Sequence, residues 1–303
     1  MTSRSLLLVA FAACGQPATP HVGDRATVPL IVEGNRPYID VAFRKADGST
    51  KTARFLVDTG GGGFLIVEPL AKELGLPLGE VEEEDGEKIA KVTAPPSAFV
   101  GDLPLELDPK RVFVLVGQTN IVPPVAPGHA DGLFPGHVLA HYHVVFDYPK
   151  HQLTLAKPGA LAATGTPLPM PVNPQSGFPR TELTIDGATI GMLLDTGASF
   201  TMISQAQLET WGTAHADWER HQGAFGDAKL LGGQTLETMI IPKAQWAGNT
   251  LVNVGMTSQQ TGVFEKWMSA MTQGPVVGSL AGNVLTQFRV ELDYPSQQLY
   301  LSK

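Results

Sequence analysis

The stretch Phe55-Leu56-Val57-Asp58-Thr59-Gly60 decides the fold, because a second copy, Met192-Leu193-Leu194-Asp195-Thr196-Gly197, stands in the other half of the chain. An apolar run precedes and follows each copy, which predicts strand, tight turn and strand. Two carboxylates that meet at one point can share a proton, so that one acts as a base and the other as an acid. The pairing therefore makes Asp58 and Asp195 the candidate catalytic residues.

The surroundings of the two tripeptides repeat as well. A hairpin signal precedes each one, with turns at Asp47-Gly48 and Asp186-Gly187. A short helical pattern follows each one, over residues 68–74 and 205–211, and Gly75 and Gly212 are predicted to end these helices. The pattern predicts two halves built on one plan.

The repeat continues to the end of each half, where Asp147-Tyr148-Pro149 matches Asp293-Tyr294-Pro295. The chain is therefore a tandem duplication. Its second half is longer by about nine residues, which we place at residues 262–274, where apolar side chains at helical spacing predict core packing. We divide the chain into a leader and tether (1–20), a first lobe (21–165) and a second lobe (166–303).

Composition sets the outer limits. The chain has 303 residues, of which 43% are hydrophobic and 17% charged, with 33 glycines and 24 prolines. These proportions describe a globular protein rich in turns and exclude a disordered or fibrous chain. A net charge of -8 without a basic cluster argues against nucleic acid as a partner.

The amino terminus resembles an export signal. Arg4 precedes an apolar run over residues 6–13 that is too short to span a bilayer, and Cys14, the only cysteine, follows it. The spacing resembles a bacterial lipoprotein box, which implies lipidation of Cys14, attachment to the membrane and a periplasmic or envelope location. Ordinary secretory cleavage and an uncleaved amphipathic start are the alternatives.

Together these residues resemble a retropepsin-like aspartic peptidase whose two lobes are fused in one chain. The resemblance extends over roughly residues 25–303 and rests on the two Asp-Thr-Gly segments and the apolar segment with glycine late in each lobe. It implies an all-β, bilobal pair of β-barrels with short helices, a pseudo-dimer in a single monomeric chain.

The resemblance also implies a chemistry. Asp58 and Asp195 would hold a water between them and share one proton, with no cofactor and no metal. Thr59 and Thr196 would hydrogen-bond across the lobe interface. Gly60 and Gly197 would permit the tight turn and the close approach of backbone amides.

Two departures from the family pattern affect the dyad. Pepsin-type members carry a hydroxyl residue after the tripeptide, whereas this chain has Gly61 and Ala198. We therefore expect a dyad that titrates higher, and activity towards mildly acidic or neutral pH. The run Gly60 to Gly63 also predicts a loose catalytic loop.

Each lobe of this family carries a hairpin flap over the site. The candidates are residues 85–93, with Ile89, and residues 223–233, with Phe225 and Gly226. Glycine-rich surface hairpins without a function are the alternative interpretation.

Other signals are weaker. His137, His141 and His143 are closely spaced, but no carboxylate or cysteine cluster completes a ligand set, and we predict no metal. We predict an exported aspartic endopeptidase whose partner is a polypeptide substrate. The alternative is a non-catalytic, envelope-anchored module that holds a peptide in the same groove.

Overall fold

The computed structural model describes residues 23–84, 86–122, 127–222 and 236–303. Cys14, Phe225 and Gly226 lie outside these residues. Within the described ranges, no helix is long and apolar enough to cross a membrane.

The first half is built almost wholly from strands. They are β1 Arg25–Pro29, β2 Ile31–Glu33, β3 Arg36–Arg44, β4 Thr50–Asp58, β5 Phe64–Val67, β6 Leu78–Glu84, β7 Glu87–Val92, β8 Ser97–Val100, β9 Leu103–Pro104, β10 Val112–Leu115, β11 Gly132–Pro135, β12 His143–Asp147 and β13 Gln152–Ala156.

The second half repeats this composition with fewer strands in the described residues. They are β14 Leu168–Pro169, β15 Arg180–Ile185, β16 Ala188–Leu194, β17 Thr201–Ser204, β18 Arg220–Gln222, β19 Glu237–Trp246, β20 Asn249–Gln259, β21 Gly278–Leu280, β22 Arg289–Asp293 and β23 Gln298–Ser302.

Short helices connect the strands. They are α1 Glu68–Leu74, a 3-10 turn at Pro109–Arg111, α2 Gly136–Leu139, α3 Gln205–Ala214, a π-helical turn at Val263–Met268 that runs into α4 Ser269–Met271, and α5 Gly282–Leu285. The all-β class predicted from the sequence is confirmed.

Each half contributes a sheet of its own. Ten strands of the first half form a sheet in the order β6-β7-β10-β5-β11-β4-β3-β8-β9, with β2 added to β3. Seven strands of the second half run in the order β15-β16-β21-β17-β20-β19-β18, and β19 also pairs with β15. This extra pairing closes six of the strands into a barrel and removes the free edge of β15, while β18 stays at an edge.

A third sheet joins the two halves. Its order is β1-β13-β12-β22-β23-β14, and the central pair β12 and β22 comes from different halves. The predicted lobe boundary at 165 and 166 falls between β13 and β14. Side chains from both halves also share one continuous apolar core, which includes Phe55 and Leu194. The halves are therefore held together by backbone hydrogen bonds as well as by apolar burial.

The duplication is visible in equivalent backbone hydrogen bonds. Val67 donates its amide to the carbonyl of Asp131 at 2.9 Å, and Ser204 donates in the same way to Val277 at 2.8 Å. The Asp131 amide then donates to Arg54, as the Val277 amide does to Gly191. Asp131 therefore occupies the place of an apolar residue without loss of the backbone pattern, and its carboxylate accepts the Arg54 amide.

Local turn chemistry explains the hairpins. Asp186 and Gly187 both adopt positive φ, at 50° and 76°, between β15 and β16. Aspartate and glycine tolerate this left-handed region, and it gives the turn a twist that matches its strands. Gly75 ends α1 in the same region, at φ 65°.

Two expectations about helices were wrong. Gly212 does not end α3, which continues to Ala214, because Gly212 keeps helical geometry and packs against the guanidinium of Arg220. The added segment is helical over residues 263–271, but only Phe264 of its apolar side chains is buried. Trp267 is 72% exposed. This added segment covers the surface of the second half with one anchor in the core.

Candidate active site

Asp58 is the last residue of β4, at the point where the chain leaves the sheet. β11 lies parallel to β4 and places Pro135 opposite Asp58. The amide of Gly60 donates to Asp58 Oδ1 at 2.8 Å, and the amide of Gly61 donates to the Asp58 carbonyl at 3.2 Å. A tight turn therefore fixes the carboxyl group against its own backbone.

Asp195 follows β16 in the corresponding place. Its amide donates to the Leu280 carbonyl of β21 at 2.9 Å, and Ala198 donates its amide to Asp195 Oδ1 at 3.1 Å. The backbone amide of Gly197 also hydrogen-bonds this carboxyl group. Both aspartates keep part of their surface exposed.

The two carboxyl groups lie in contact across the junction of the halves, within hydrogen-bonding reach of each other. Glycine is required on both sides of this contact. A Cβ atom on Gly60 would lie 3.3 Å from Asp195 Oδ1, and one on Gly197 would collide with the carboxyl group of Asp58. The sequence therefore brings the carboxylates together by removing side chains that would separate them.

The two threonines lock the loops to each other. Thr59 donates its hydroxyl to the Leu194 carbonyl at 2.6 Å, and Thr196 donates its hydroxyl to the Val57 carbonyl at 2.7 Å. Each hydroxyl also accepts the backbone amide of the other threonine, at 3.0 and 3.1 Å. Both threonines are completely buried. Four hydrogen bonds thus fix the carboxylates relative to each other.

The glycine run after Asp58 is more constrained than its composition predicts. A Cβ atom on Gly61 would lie 2.6 Å from Leu133 and 3.1 Å from Asp58, whereas Gly62 has open space around it. A serine or threonine at position 61 would therefore clash with the small core cluster that contains Leu133. This packing favours glycine at position 61 but does not account for Ala198.

The environment holds protons on the dyad. Burial and the negative charge of Asp195 raise the pKa of Asp58 to about 7. Burial also raises the pKa of Asp195, although the amides of Ala198 and Gly197 act in the opposite direction. Two adjacent carboxyl groups of this kind titrate as a pair and share one proton over a wide pH range.

One charged residue of the site was missed by the sequence reasoning. Arg36, at the start of β3, is 5% exposed and donates its Nε to the Gly197 carbonyl at 2.8 Å. The available signal was a charged residue directly before Pro37, at the first position of the strand. A local pattern could not show that the guanidinium crosses to the other half.

Ile89, predicted in a flap, lies half-buried in β7, where it pairs with Glu82 of β6 and Leu115 of β10. The first-half hairpin thus comprises both β6 and β7 and begins earlier than predicted. Ile89 sits along its arm, and its role over the site stays a prediction. The other flap candidates, Phe225 and Gly226, lie outside the described residues.

The three histidines do not converge. His137 is buried in α2, where desolvation lowers its pKa to about 4, while Nε2 of His143 contacts Oε1 of Glu291 at 2.7 Å in the shared sheet. Within the described residues, no group of three histidine, cysteine or acidic side chains could hold a metal ion.

Comparison with known proteins identifies the fold. No family model matches the sequence, and no curated protein matches it. Among solved structures, the chain is similar to "Crystal structure of aspartic proteinase from Irpex lacteus", with a TM-score of 0.52 and 11% identity over 92% of this chain and 97% of that one. The fold is therefore the bilobal, aspartic-protease-like fold that the paired tripeptides predicted.

Proposed function

We propose that the protein is an aspartic endopeptidase that hydrolyses peptide bonds with a water molecule activated between Asp58 and Asp195. The observation that carries the proposal is the contact between two carboxyl groups, one from each half, each held by backbone amides. Such a pair can hold one proton and one negative charge, which acid and base catalysis in one step requires.

The surroundings favour different roles for the two aspartates. Asp195 accepts amides from both Gly197 and Ala198, whereas Asp58 accepts that of Gly60. Additional donors stabilise the ionised form, so Asp195 is the base and Asp58 the acid. Asp195 takes a proton from the water, whose oxygen bonds to the peptide carbonyl carbon. Asp58 gives its proton to the carbonyl oxygen.

Collapse of the tetrahedral intermediate completes the reaction and returns the dyad to its starting protonation state. The diol returns one hydroxyl proton to Asp58 as the carbonyl re-forms and the carbon–nitrogen bond breaks, and the proton on Asp195 passes to the leaving nitrogen. The dyad is then again singly protonated. The resemblance to the retropepsin-like family implies an extended polypeptide substrate with apolar side chains near the cleaved bond.

The test is cleavage of a peptide library by the purified chain across pH, beside Asp58→Asn and Asp195→Asn. Asp40→Asn is the matched control, because Asp40 is an exposed aspartate on β3. We expect cleavage by the wild type and the control, and a loss of at least about 1,000-fold in both dyad variants. Peptide binding without cleavage at any pH would instead support the non-catalytic module.

Export and anchoring belong to the same proposal. A lipid on Cys14 would place the enzyme at the envelope, with residues 16–22 as a tether. Mass spectrometry of the amino-terminal peptide from the membrane fraction tests this, since an unmodified Cys14 contradicts it. Sedimentation of the purified chain tests the proposed monomer.

A further inference from the structure

Arg36 places a buried positive charge where the two halves meet. Its Nε donates to the carbonyl of Gly197, in the loop that carries Asp195. Its Nη1 is buried and makes no hydrogen bond of normal geometry to any residue within the described ranges. A buried guanidinium with a free donor is costly, so a purely structural residue would be expected to be fully paired or apolar.

The charge has no counterpart in the other half. Tyr38 pairs with Leu56, and Arg180 pairs with Leu193, each partner lying two residues before its aspartate. Arg36 lies two residues before Tyr38, and Phe178 lies two residues before Arg180. Arg36 therefore corresponds to Phe178, which is buried and apolar. Within the described residues, the duplicated fold thus carries a cation at this position in only one of its halves.

The guanidinium acts on the dyad through space. Its charge lowers the pKa of both Asp58 and Asp195, against the larger effect of burial. It forms no ion pair with either carboxylate in the described structure. A direct ion pair would hold one carboxylate permanently ionised, whereas a cation farther away favours the singly ionised pair over the doubly protonated one.

We propose that Arg36 is a positioning residue of the dyad: it fixes the Gly197 carbonyl and keeps one permanent positive charge beside the two aspartates. This assignment rests on the proposed function. Its consequence is that the pair reaches its active, singly ionised form at a lower pH than burial alone would allow.

Few other groups compete with this charge. Tyr294 also senses the charge of Asp58, but burial raises its pKa, so its hydroxyl stays neutral. Beside Arg36 lies the hydroxyl of Tyr38, whose pKa burial likewise raises, and beyond it are Glu33 and Arg54. Among the described residues, Arg36 is therefore the cation that acts most strongly on both aspartates.

The experiment titrates the dyad directly, by NMR of the 13C-labelled aspartate carboxyl carbons in the full chain, with the signals assigned through Asp58→Asn and Asp195→Asn. The variants are Arg36→Met, Arg36→Lys and, as control, Arg180→Met. Arg180 also donates its Nε to a carbonyl, that of Pro275 at 3.0 Å, but it is not among the charges that act most strongly on the dyad.

In Arg36→Met we expect the first ionisation of the pair to rise by about one pH unit, and the acidic limb of kcat/KM to move with it. Arg36→Lys should keep the acidic limb of the kcat/KM profile at its wild-type position, because lysine retains the charge. Arg180→Met should also leave this limb unchanged. If Arg36→Met does not fold, Arg36→Gln replaces it, since glutamine keeps a donor without a charge.

A folded, uncharged variant with an unmoved first ionisation overturns the assignment, as does an equal shift in Arg180→Met. The two proposals fail separately. A wild type that cleaves no peptide contradicts the peptidase while the titration still reports on Arg36. If cleavage is lost in the aspartate variants but the first ionisation is unmoved in Arg36→Met, the peptidase proposal stands and the role of Arg36 is contradicted.

Discussion

Single atoms decide whether the two carboxyl groups can meet. Gly197 sits so close to Asp58 that a methyl group there would overlap its carboxyl group, whereas Gly62, four residues beyond Asp58, faces open space. The same substitution should therefore have opposite consequences at the two positions.

We expect Gly197→Ala to abolish cleavage, because the added Cβ forces the carboxyl groups apart, while Gly62→Ala keeps full activity. Gly62→Ala should also raise the free energy of unfolding by about 0.5 kcal/mol, since it restricts the unfolded chain at a position without positive φ. Urea denaturation and peptide cleavage measure both effects. Equal activity in the two variants would contradict the packing argument.

The sequence was informative about these residues for a physical reason. Asp58 and Gly60 interact within one tight turn, so their spacing along the chain records the geometry, and Thr59 reaches the other half through a tripeptide that occurs in both halves. Arg36 acts on the opposite half, and its partner Gly197 is distant in sequence. Only the packing of the halves defines that contact, and no local pattern could have predicted it.

Strands and helices show the same division between local and long-range causes. The hairpin β15–β16 and the end of α1 follow from turn residues that accept positive φ, and the sequence predicts both. By contrast, α3 continues past Gly212 to Ala214, and Gly212 lies against Arg220, which is distant from it in the local pattern. The pairing of β12 with β22 depends on how the halves associate, and no local sequence pattern predicts it.

The pairing of β12 with β22 contains a buried charged cluster. Glu291 is fully buried, contacts His143 at 2.7 Å and accepts the Thr164 hydroxyl at 2.9 Å. Burial by itself raises the pKa of Glu291, but hydrogen bonds from His143, Arg289 and Thr164 outweigh it and lower the pKa. The ionised carboxylate therefore ties the segment after β13 to the central strands.

We expect Glu291→Gln to lower the free energy of unfolding at neutral pH by at least about 2 kcal/mol, because Arg289 loses its negatively charged acceptor. Because folding lowers the pKa of Glu291, its ionised form stabilises the protein above the ordinary glutamate pKa of 4.5. This stabilisation is lost as pH falls through the pKa of the folded state. The difference between variant and wild type should thus shrink in acid. Urea denaturation across this range tests it, with the exposed Glu80→Gln as control.

For the whole molecule, the duplication predicts two lobes and a site between them, but not their differences. The second-half sheet closes because β19 is long enough to reach β15, whereas within the described residues no pairing joins the edges β6 and β9 of the first-half sheet. These differences arise from strand length and from residues such as Arg36 and Phe178, which occupy equivalent places with different chemistry.

Bringing two carboxyl groups together lowers the stability of the whole fold at neutral pH. The pH dependence of this effect has the opposite direction to that of Glu291. The pKa of Asp58 rises from 3.8 to about 7 on folding, so the folded protein holds a proton that the unfolded chain releases. The stability from this proton is complete below pH 3.8 and is lost as pH rises towards 7. We therefore expect Asp58→Asn to be more stable than the wild type at neutral pH.

Urea denaturation near the two ends of this window measures the effect. The advantage of Asp58→Asn should be large at about pH 7.5 and small at about pH 4, because asparagine stays neutral throughout. Asp40→Asn, at an exposed position, should show no such trend. An advantage of the same size at both pH values would mean that the dyad carries no shared proton, and the acid and base roles assigned to its two members would have to be abandoned.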